Sequence, residues 1–195
     1  MQTIRLLTIG NSFSNNALTY LARLAEGTGS VRFDIGRTSL GGCSLERHAN
    51  LAAYTEKQPA YKPYTLGNDC EGQPIEANLQ DALTDRPWDV ITLQQVSARS
   101  WRPETFEPWL GQLAGRIRRA APQAKLMLHQ TWAYRCDSPF YPENALTPDG
   151  MHRRIDETYR RYAKTYECGI LPSGPAVYRA RHAEGHSFRW PDPEY

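Results

Sequence analysis

A turn rich in hydroxyl and amide groups near the start of the chain is the first place where the sequence could carry chemistry. The apolar run Ile4–Ile9 breaks at Gly10 into Asn-Ser-Phe-Ser-Asn-Asn, and an apolar pattern of helical spacing follows. This pattern predicts Ser12 at a strand–helix junction, where unpaired backbone N–H groups favour the negative charge that develops when a serine attacks an ester. The alternative is that the turn only caps the helix, because Ser, Asn and Asp are preferred capping residues.

Two later loops carry groups of the kind that stabilise an oxyanion. Gly41 and Gly42 follow the second apolar run, and glycine lets a backbone N–H approach a ligand closely. Gln94 and Gln95 follow the third apolar run. A backbone N–H and a side-chain amide directed at the serine are common parts of an oxyanion hole. Each loop alone could be a tight turn or a hydrogen-bonded strand end, but three polar loops at one edge favour catalysis.

These loops converge if the chain folds as a doubly wound α/β sandwich. Apolar runs predict five strands, at Ile4–Ile9, Val31–Ile35, Trp88–Leu93, Lys125–His129 and Gly169–Leu171. Helical spacing predicts helices with apolar positions over Ala17–Ala25, Ile75–Leu83, Phe106–Ile117 and Met151–Tyr166. Connections of this length imply parallel neighbours, so we predict a three-layer, mainly parallel five-stranded sheet that binds ligands outside the carboxyl ends of its strands. The segment 50–73, rich in Tyr, Pro and Gly, is predicted to be a surface excursion.

The composition fits one domain that acts on a small molecule. The chain has 195 residues, of which 40% are hydrophobic and 23% charged, and its net charge is +2. No apolar stretch reaches the roughly 18–20 residues of a membrane span. The Arg-rich pieces alternate with apolar helical positions and predict solvated helix faces, so we expect no nucleic-acid or membrane partner. No secretory signal is visible, which leaves the compartment open with the cytoplasm as the default. The oligomeric state is not predicted.

We expect no metal and no cofactor. His182 and His186 have an i, i+4 spacing, but no third ligand is evident. The four cysteines are far apart, form no Cys-x-x-Cys pair and indicate neither a zinc site nor a disulfide framework: Cys43, Cys70, Cys136 and Cys168.

Four ordered blocks, "TIGNSFS", "GGCSLERH", "WDVITLQQ" and "LHQTWAY", resemble the SGNH (GDSL-like) hydrolases, especially a bacterial branch with a Gly-Asn-Ser first block. The resemblance covers essentially the whole chain and implies one flavodoxin-like domain over residues 1–195. By this resemblance Ser12 is the nucleophile, and the N–H groups of Ser12 and Gly42 contribute to the oxyanion hole. Gln95, or less favourably Gln94, lies where the family places a side-chain donor.

Two blocks depart from the family pattern. Asn11 replaces the usual aspartate of Gly-Asp-Ser, and the third block lacks Gly-x-Asn, with Ala98 opposite the asparagine. The family's last block, Asp-x-x-His, supplies the base and its carboxylate, and we expect it beyond residue 195 together with a closing helix. The pair Asp149 and His152 matches this pattern elsewhere and is an alternative base pair; the competing interpretation is a helix N-terminus with His152 on a solvated face.

Further residues are predicted near the pocket. Asn11 and Gln94 belong to the loops described above, and His48 follows the second block. Trp132 and Tyr134 follow the fourth strand, where they could stack against a sugar ring or pack the loop onto the sheet. His129 is expected to be a half-buried structural residue.

The sequence therefore predicts a serine ester hydrolase with an O-acyl substrate, such as an O-acetylated carbohydrate. One alternative is a flavodoxin-like module that binds a flavin or nucleotide phosphate on the Asn-Ser-Phe-Ser-Asn-Asn turn. That alternative leaves the glycine and glutamine loops unexplained. Another is an SGNH fold that binds its ligand without performing chemistry.

Overall fold

A seven-stranded sheet forms the centre of the computed structural model, which describes residues 1–68 and 74–183. The strands are β1 (Gln2–Gly10), β2 (Val31–Ser39), β3 (Tyr64–Asn68), β4 (Ile75–Ala77), β5 (Val90–Leu93), β6 (Lys125–His129) and β7 (Gly169–Leu171). Their order across the sheet is β4-β3-β2-β1-β5-β6-β7. The α/β fold predicted from the sequence is thereby confirmed, with helices on both sides of one sheet.

Eight α-helices and one 3₁₀ turn, Pro103–Thr105, connect the strands in the described residues. The helices are α1 (Ser12–Leu18), α2 (Leu21–Gly27), α3 (Leu45–Lys57), α4 (Leu79–Thr84), α5 (Trp109–Ala120), α6 (Phe140–Glu143), α7 (Pro148–Thr165) and α8 (Ser173–His182). Within the described part of the chain, none of them is long and apolar enough to cross a bilayer.

The predicted number of strands is wrong. The five predicted strands are present and mutually parallel, in the order β2-β1-β5-β6-β7, but β3 and β4 add an antiparallel hairpin beside β2. The strand order reverses between β1 and β5, which makes their carboxyl ends the switch point of the sheet. Ser12 follows β1 and Gln94 follows β5, so both predicted loops lie there.

The predicted surface excursion over 50–73 is wrong for its described part, residues 50–68. Its first part completes α3, and Tyr64 and Leu66 of β3 are buried while Thr65 between them is exposed. This alternation is the two-residue period of a strand with one covered face. Its Pro- and Gly-rich composition obscured the pattern. Residues 69–73, and with them Cys70, lie outside the described residues.

Two predicted helices are also corrected. The helix over Ala17–Ala25 is broken at Thr19 and Tyr20 into α1 and α2, and Leu24 is 69% exposed instead of facing the core. The helix over Ile75–Leu83 begins only at Leu79. Asn78 starts it with a capping box to Asp81, which pairs two backbone N–H groups with side chains, and the residues before Asn78 form β4.

The core lies on both faces of β1. Leu7 and Ile9 join the larger buried cluster, which includes side chains of α3, α5 and α7. Leu6 joins the smaller cluster with Leu18 and Ile35. A parallel strand covered on both faces favours a near-continuous apolar run, and the run Ile4–Ile9, which only Arg5 and Thr8 interrupt, made β1 predictable.

Gly36 provides a test of this packing. A Cβ at Gly36 would lie 2.4 Å from Cη2 of Trp88, a fully buried ring whose Nε1 donates to Ala82 O at 2.8 Å. Because this ring has no free direction in which to move, Gly36→Ala should lower the free energy of unfolding by about 2–3 kcal/mol. Urea denaturation measures the change. Gly27→Ala is the matched control, since no atom lies within 4 Å of its Cβ position. Equal stability of Gly36→Ala and Gly27→Ala would contradict the described packing.

Candidate active site

Ser12 is the first residue of α1, directly after the N-cap Asn11. The cap is made by Asn11, whose Oδ1 accepts from the N–H of Phe13 at 3.1 Å. The hydroxyl of Ser12 therefore does not cap the helix, so the alternative interpretation of this turn does not apply to Ser12. Ser12 is exposed, and no described residue hydrogen-bonds its hydroxyl or its backbone N–H.

The side chain of Asn11 ties the three predicted loops together. Its Nδ2 group donates to Cys43 O at 3.2 Å and to Gln95 O at 3.3 Å, and the residue is only 1% exposed. Both amide hydrogens are thus used on carbonyls of the second and third loops. A carboxylate has no hydrogen to donate. This explains in physical terms why asparagine stands where the resemblance leads one to expect aspartate.

Gly42 adopts the left-handed conformation that its loop requires, with φ of +61°. The loop closes through Cys43 N, which donates to Leu40 O at 3.1 Å, and it is held to the end of β1 by Leu40 N, which donates to Gly10 O at 3.2 Å. Gly42 is exposed, and its N–H has no acceptor among the described residues. Its backbone is therefore open to a ligand.

Gln95 is a structural residue in this arrangement. Its Oε1 accepts from Leu45 N at 3.1 Å and Val96 N at 2.8 Å, while its Nε2 donates to Thr105 O at 3.0 Å. A contact of 3.3 Å to Thr105 Oγ1 occupies the second amide hydrogen. These bonds leave no N–H of the side chain for an oxyanion, so the predicted donor role of Gln95 finds no support in the geometry.

Gln94 is also buried and does not open onto a pocket. Its Oε1 accepts from the hydroxyl of Ser14 at 2.7 Å, which fixes the first turn of α1 against the end of β5. Its Nε2 is buried without a partner among the described residues.

His48 is fully buried and does not line a pocket, in contrast to its predicted position. Its Nε2 lies 3.0 Å from Gly10 O, and because a carbonyl can only accept, Nε2 carries the proton. Nδ1 then accepts from the hydroxyl of Tyr64 at 2.9 Å. Burial lowers the pKa of His48 to about 4, an effect that the bond to Gly10 opposes only in part. His48 is therefore a neutral tie between α3 and β1.

Trp132 and Tyr134 pack beside the predicted nucleophile. The ring of Phe13 lies 4.4 Å from that of Trp132 and 6.3 Å from that of Tyr134. The hydroxyl of Tyr134 is 2.8 Å from Ser97 Oγ in the third loop. The two aromatic residues are half-buried, so they pack their loop onto α1 and form a wall next to Ser12.

The alternative base pair is not assembled in the described structure. His152 stacks on Tyr178 at 4.0 Å, Tyr178 stacks on His182 at 4.1 Å, and Asp149 Oδ1 lies 3.9 Å from His182 Nε2. Asp149 therefore pairs with His182 of α8, and neither Asp149 nor His152 contacts Ser12. The fourth described histidine, His129, is buried with Nε2 3.0 Å from Ser173 Oγ.

The described residues hold no cluster of three His, Cys, Asp or Glu side chains that could bind a metal. Cys43, Cys136 and Cys168 are free thiols. His186 lies outside the described residues, so its predicted spacing with His182 has no structural counterpart here.

An open groove of about 640 Å³ was not predicted from the sequence. It lies between α3 and the loop after β5, and it includes Gly42 and Val96 as well as Arg47, Tyr54 and Arg99. The signal was present in α3, where exposed polar residues recur at helical spacing opposite the buried face, but that pattern is also typical of a solvated helix.

Substitution of Asn11 tests the bridge between the loops. Asn11→Asp places a carboxylate against two carbonyl oxygens, so we expect the free energy of unfolding to fall by about 2–4 kcal/mol at pH 7. Burial raises the pKa of such a carboxyl above its unfolded value, so the deficit should shrink as the pH falls toward 4 and the carboxyl protonates. Chemical denaturation at several pH values measures this. Asn16→Asp, at an exposed position of α1, is the control. A loss of unfolding free energy that does not change with pH would contradict the hydrogen bonds assigned to Asn11.

Acid stability tests the state of His48. Its pKa in the folded protein is about 4, below the value of about 6.5 in the unfolded chain, so the unfolded state binds more protons between these values. The stabilisation that neutral, buried His48 contributes to the free energy of unfolding is therefore fully present above pH 6.5 and is lost as the pH falls toward 4. His48→Gln should flatten this part of the stability profile, which urea denaturation at several pH values measures. Parallel profiles for wild type and His48→Gln would contradict the assignment.

Comparisons with known proteins agree with this fold. Residues 5–186 match the family described as a domain of unknown function, DUF4886. A DUF4886 family protein from Bacteroides uniformis is 33% identical, with a TM-score of 0.79 over 92% of this chain and 71% of that one. No protein of curated function matches the sequence.

More distant structures show the same fold. A protein from Slackia heliotrinireducens, provisionally assigned as an SGNH hydrolase, is 23% identical, with a TM-score of 0.61 over 92% of this chain and 83% of that one. A protein from Parabacteroides merdae, provisionally assigned as a GDSL-like lipase, is 11% identical, with a TM-score of 0.56 over 92% and 82% of the two chains. The chain therefore shares its fold with SGNH-like hydrolases, as the sequence resemblance implied, and it belongs to the DUF4886 family.

Proposed function

We propose that this chain is a serine ester hydrolase of the SGNH type, with Ser12 as its nucleophile and an O-acyl ester, such as an O-acetylated carbohydrate, as its substrate. One observation carries the proposal. The hydroxyl of Ser12 is exposed at the switch point of the sheet and has no hydrogen-bond partner among the described residues, while the neighbouring Asn11 is bonded to the two other loops.

In the proposed reaction Ser12 Oγ attacks the ester carbonyl and transfers its proton to a base. The carbonyl oxygen becomes an oxyanion, held by the backbone N–H groups of Ser12 and Gly42. The alcohol leaves with a proton, and water then releases the acyl group from Ser12. Both N–H groups are without an acceptor among the described residues, which suits a site that must bind charge only in the transition state.

The proposal uses two backbone donors and no side-chain amide. Gln95 is left out because its amide is already bonded to Thr105, Leu45 and Val96. Gln94 keeps a role in positioning, since it holds Ser14 and with it the first turn of α1.

The base of this reaction is proposed to come from residues outside the described part of the chain. The four described histidines make other contacts. His48 and His129 are buried and bonded to other residues. His152 and His182 stack on Tyr178. A histidine and a carboxylate beyond residue 195, where we expect the last block of the family pattern, would complete the arrangement that the resemblance implies.

The first turn of α1 offers little to a flavin or nucleotide phosphate. The N–H of Phe13 donates to the side-chain Oδ1 of Asn11. The N–H groups of Ser14 and Asn15 donate to the backbone carbonyl of Asn11. A phosphate cradle needs several free N–H groups at this position. The ester hydrolase therefore accounts for the turn better than the flavodoxin-like alternative.

Hydrolysis of p-nitrophenyl acetate tests the proposal. We would compare this chain with a form lengthened at its C-terminus by the codons that follow in its gene, each as wild type, Ser12→Ala and Ser30→Ala. Ser30 is an exposed serine before β2, at the opposite edge of the sheet. The lengthened wild type and its Ser30→Ala variant should turn over, and Ser12→Ala should reduce kcat by at least about a thousandfold.

Two results would count against this account. Turnover of the shorter chain through Ser12 would place the base among the residues present and contradict the proposed origin of the base. No turnover in either form would leave the fold intact but favour an SGNH fold that binds its ligand without chemistry.

A further inference from the structure

The groove along α3 reaches Gly42, one of the two residues whose N–H groups we assign to the oxyanion. Gly42 and Val96 line it, and each is next in sequence to one of the two carbonyls, Cys43 O and Gln95 O, that Asn11 bridges. Asn11 is in turn next to Ser12. An ester held at Ser12 and Gly42 would therefore extend one of its two parts into this groove.

Among the described residues that line the groove, one positive charge has no carboxylate partner. Arg99 pairs with Glu46 across it, at 2.7 Å between Nη1 and Oε2. Arg47 is exposed, lines the groove and has no carboxylate partner among the described residues. It lies in the first turn of α3, a helix of 13 residues, where the positive end of the helix dipole adds to its charge. Since Arg47 is the single unpaired cation among the described lining residues, the groove suits one carboxylate better than a doubly charged phosphate.

The outer part of the groove presents an aromatic face and an amide. Arg47, Asn50 and Tyr54 are spaced i, i+3 and i+7, so they follow one face of α3 over about 10 Å. The ring of Tyr54 is exposed, and Tyr61 lies edge-on against it at 5.4 Å, which limits its orientations. Exposed aromatic faces stack on apolar ring faces of ligands, and an amide both donates and accepts hydrogen bonds.

We propose that this groove binds the alcohol part of the substrate and that this alcohol is an acidic oligosaccharide. A carboxylate beside the acylated unit pairs with Arg47, sugar hydroxyls bond to Asn50, and the ring of a further unit stacks on Tyr54. The inference rests on the proposed function for its link to Ser12, but the binding of the sugar itself does not require catalysis.

A binding experiment on the Ser12→Ala variant tests the proposal separately from turnover. We would titrate it with a galacturonate tetrasaccharide and with a neutral glucose tetrasaccharide, using calorimetry at low and at 0.5 M salt. The acidic ligand should bind at least about tenfold more tightly at low salt and lose much of this advantage at 0.5 M salt.

Three substitutions in the same background identify the residues involved. Arg47→Gln should weaken binding of the acidic ligand by about tenfold or more and leave the neutral ligand unchanged. Tyr54→Ala should weaken both ligands by a similar factor, because stacking does not depend on the charge. Arg23→Gln, at an exposed arginine of α2 outside the groove, is the matched control and should change neither.

The proposal is overturned if the two tetrasaccharides bind equally, if neither binds, or if Arg47→Gln behaves like Arg23→Gln. These results are distinguishable from a failure of the proposed function. Binding through Arg47 without Ser12-dependent ester hydrolysis in any form would retain the groove and reject the hydrolase, whereas hydrolysis without an effect of Arg47 would do the reverse.

Discussion

The buried amide of Asn11 is the interaction on which the rest of this site depends. One side chain caps α1 and donates to carbonyls of two loops that are 32 and 84 residues away in sequence. Loss of such a group leaves buried carbonyls without a donor, which costs about 1–3 kcal/mol for each of them. The Asn11 side chain thereby links the three backbone segments that carry Ser12, Gly42 and Val96.

Two further polar residues near this amide, which the sequence suggested for the catalytic site, have structural roles instead. Gln95 joins the third loop to α3 and to Thr105, and His48 joins α3 to the end of β1. Their burial excludes them from contact with a substrate but fixes the backbone N–H groups that we assign to the oxyanion. Donors that are fixed before the reaction need little reorganisation when charge develops, which is the main source of catalysis in such sites.

The sequence was informative where a local pattern determines the structure. The apolar runs predicted the parallel strands, and the turn after β1 predicted that Ser12 lies at a strand–helix junction, because both features depend on neighbours in sequence. The β3–β4 hairpin was missed because its strands are only five and three residues long, follow Pro63 and Pro74, and give too weak a period to recognise. The roles of Gln95 and His48 could not be predicted, since a glutamine or histidine is equally suited to a scaffold and to a reaction. The burial of the side chain and its hydrogen-bond partners far away in sequence decide between a structural and a catalytic role, and both become visible only in the folded structure.

The most direct test of the central claim is the site of covalent modification by a p-nitrophenyl alkylphosphonate, which mimics the tetrahedral intermediate of ester hydrolysis on the nucleophile. We would treat the C-terminally lengthened form, digest it and locate the added mass by tandem mass spectrometry. The account predicts one adduct on Ser12, with release of p-nitrophenol, and no adduct in Ser12→Ala. An adduct on another residue, or ester hydrolysis that persists while Ser12 remains unmodified, would contradict it.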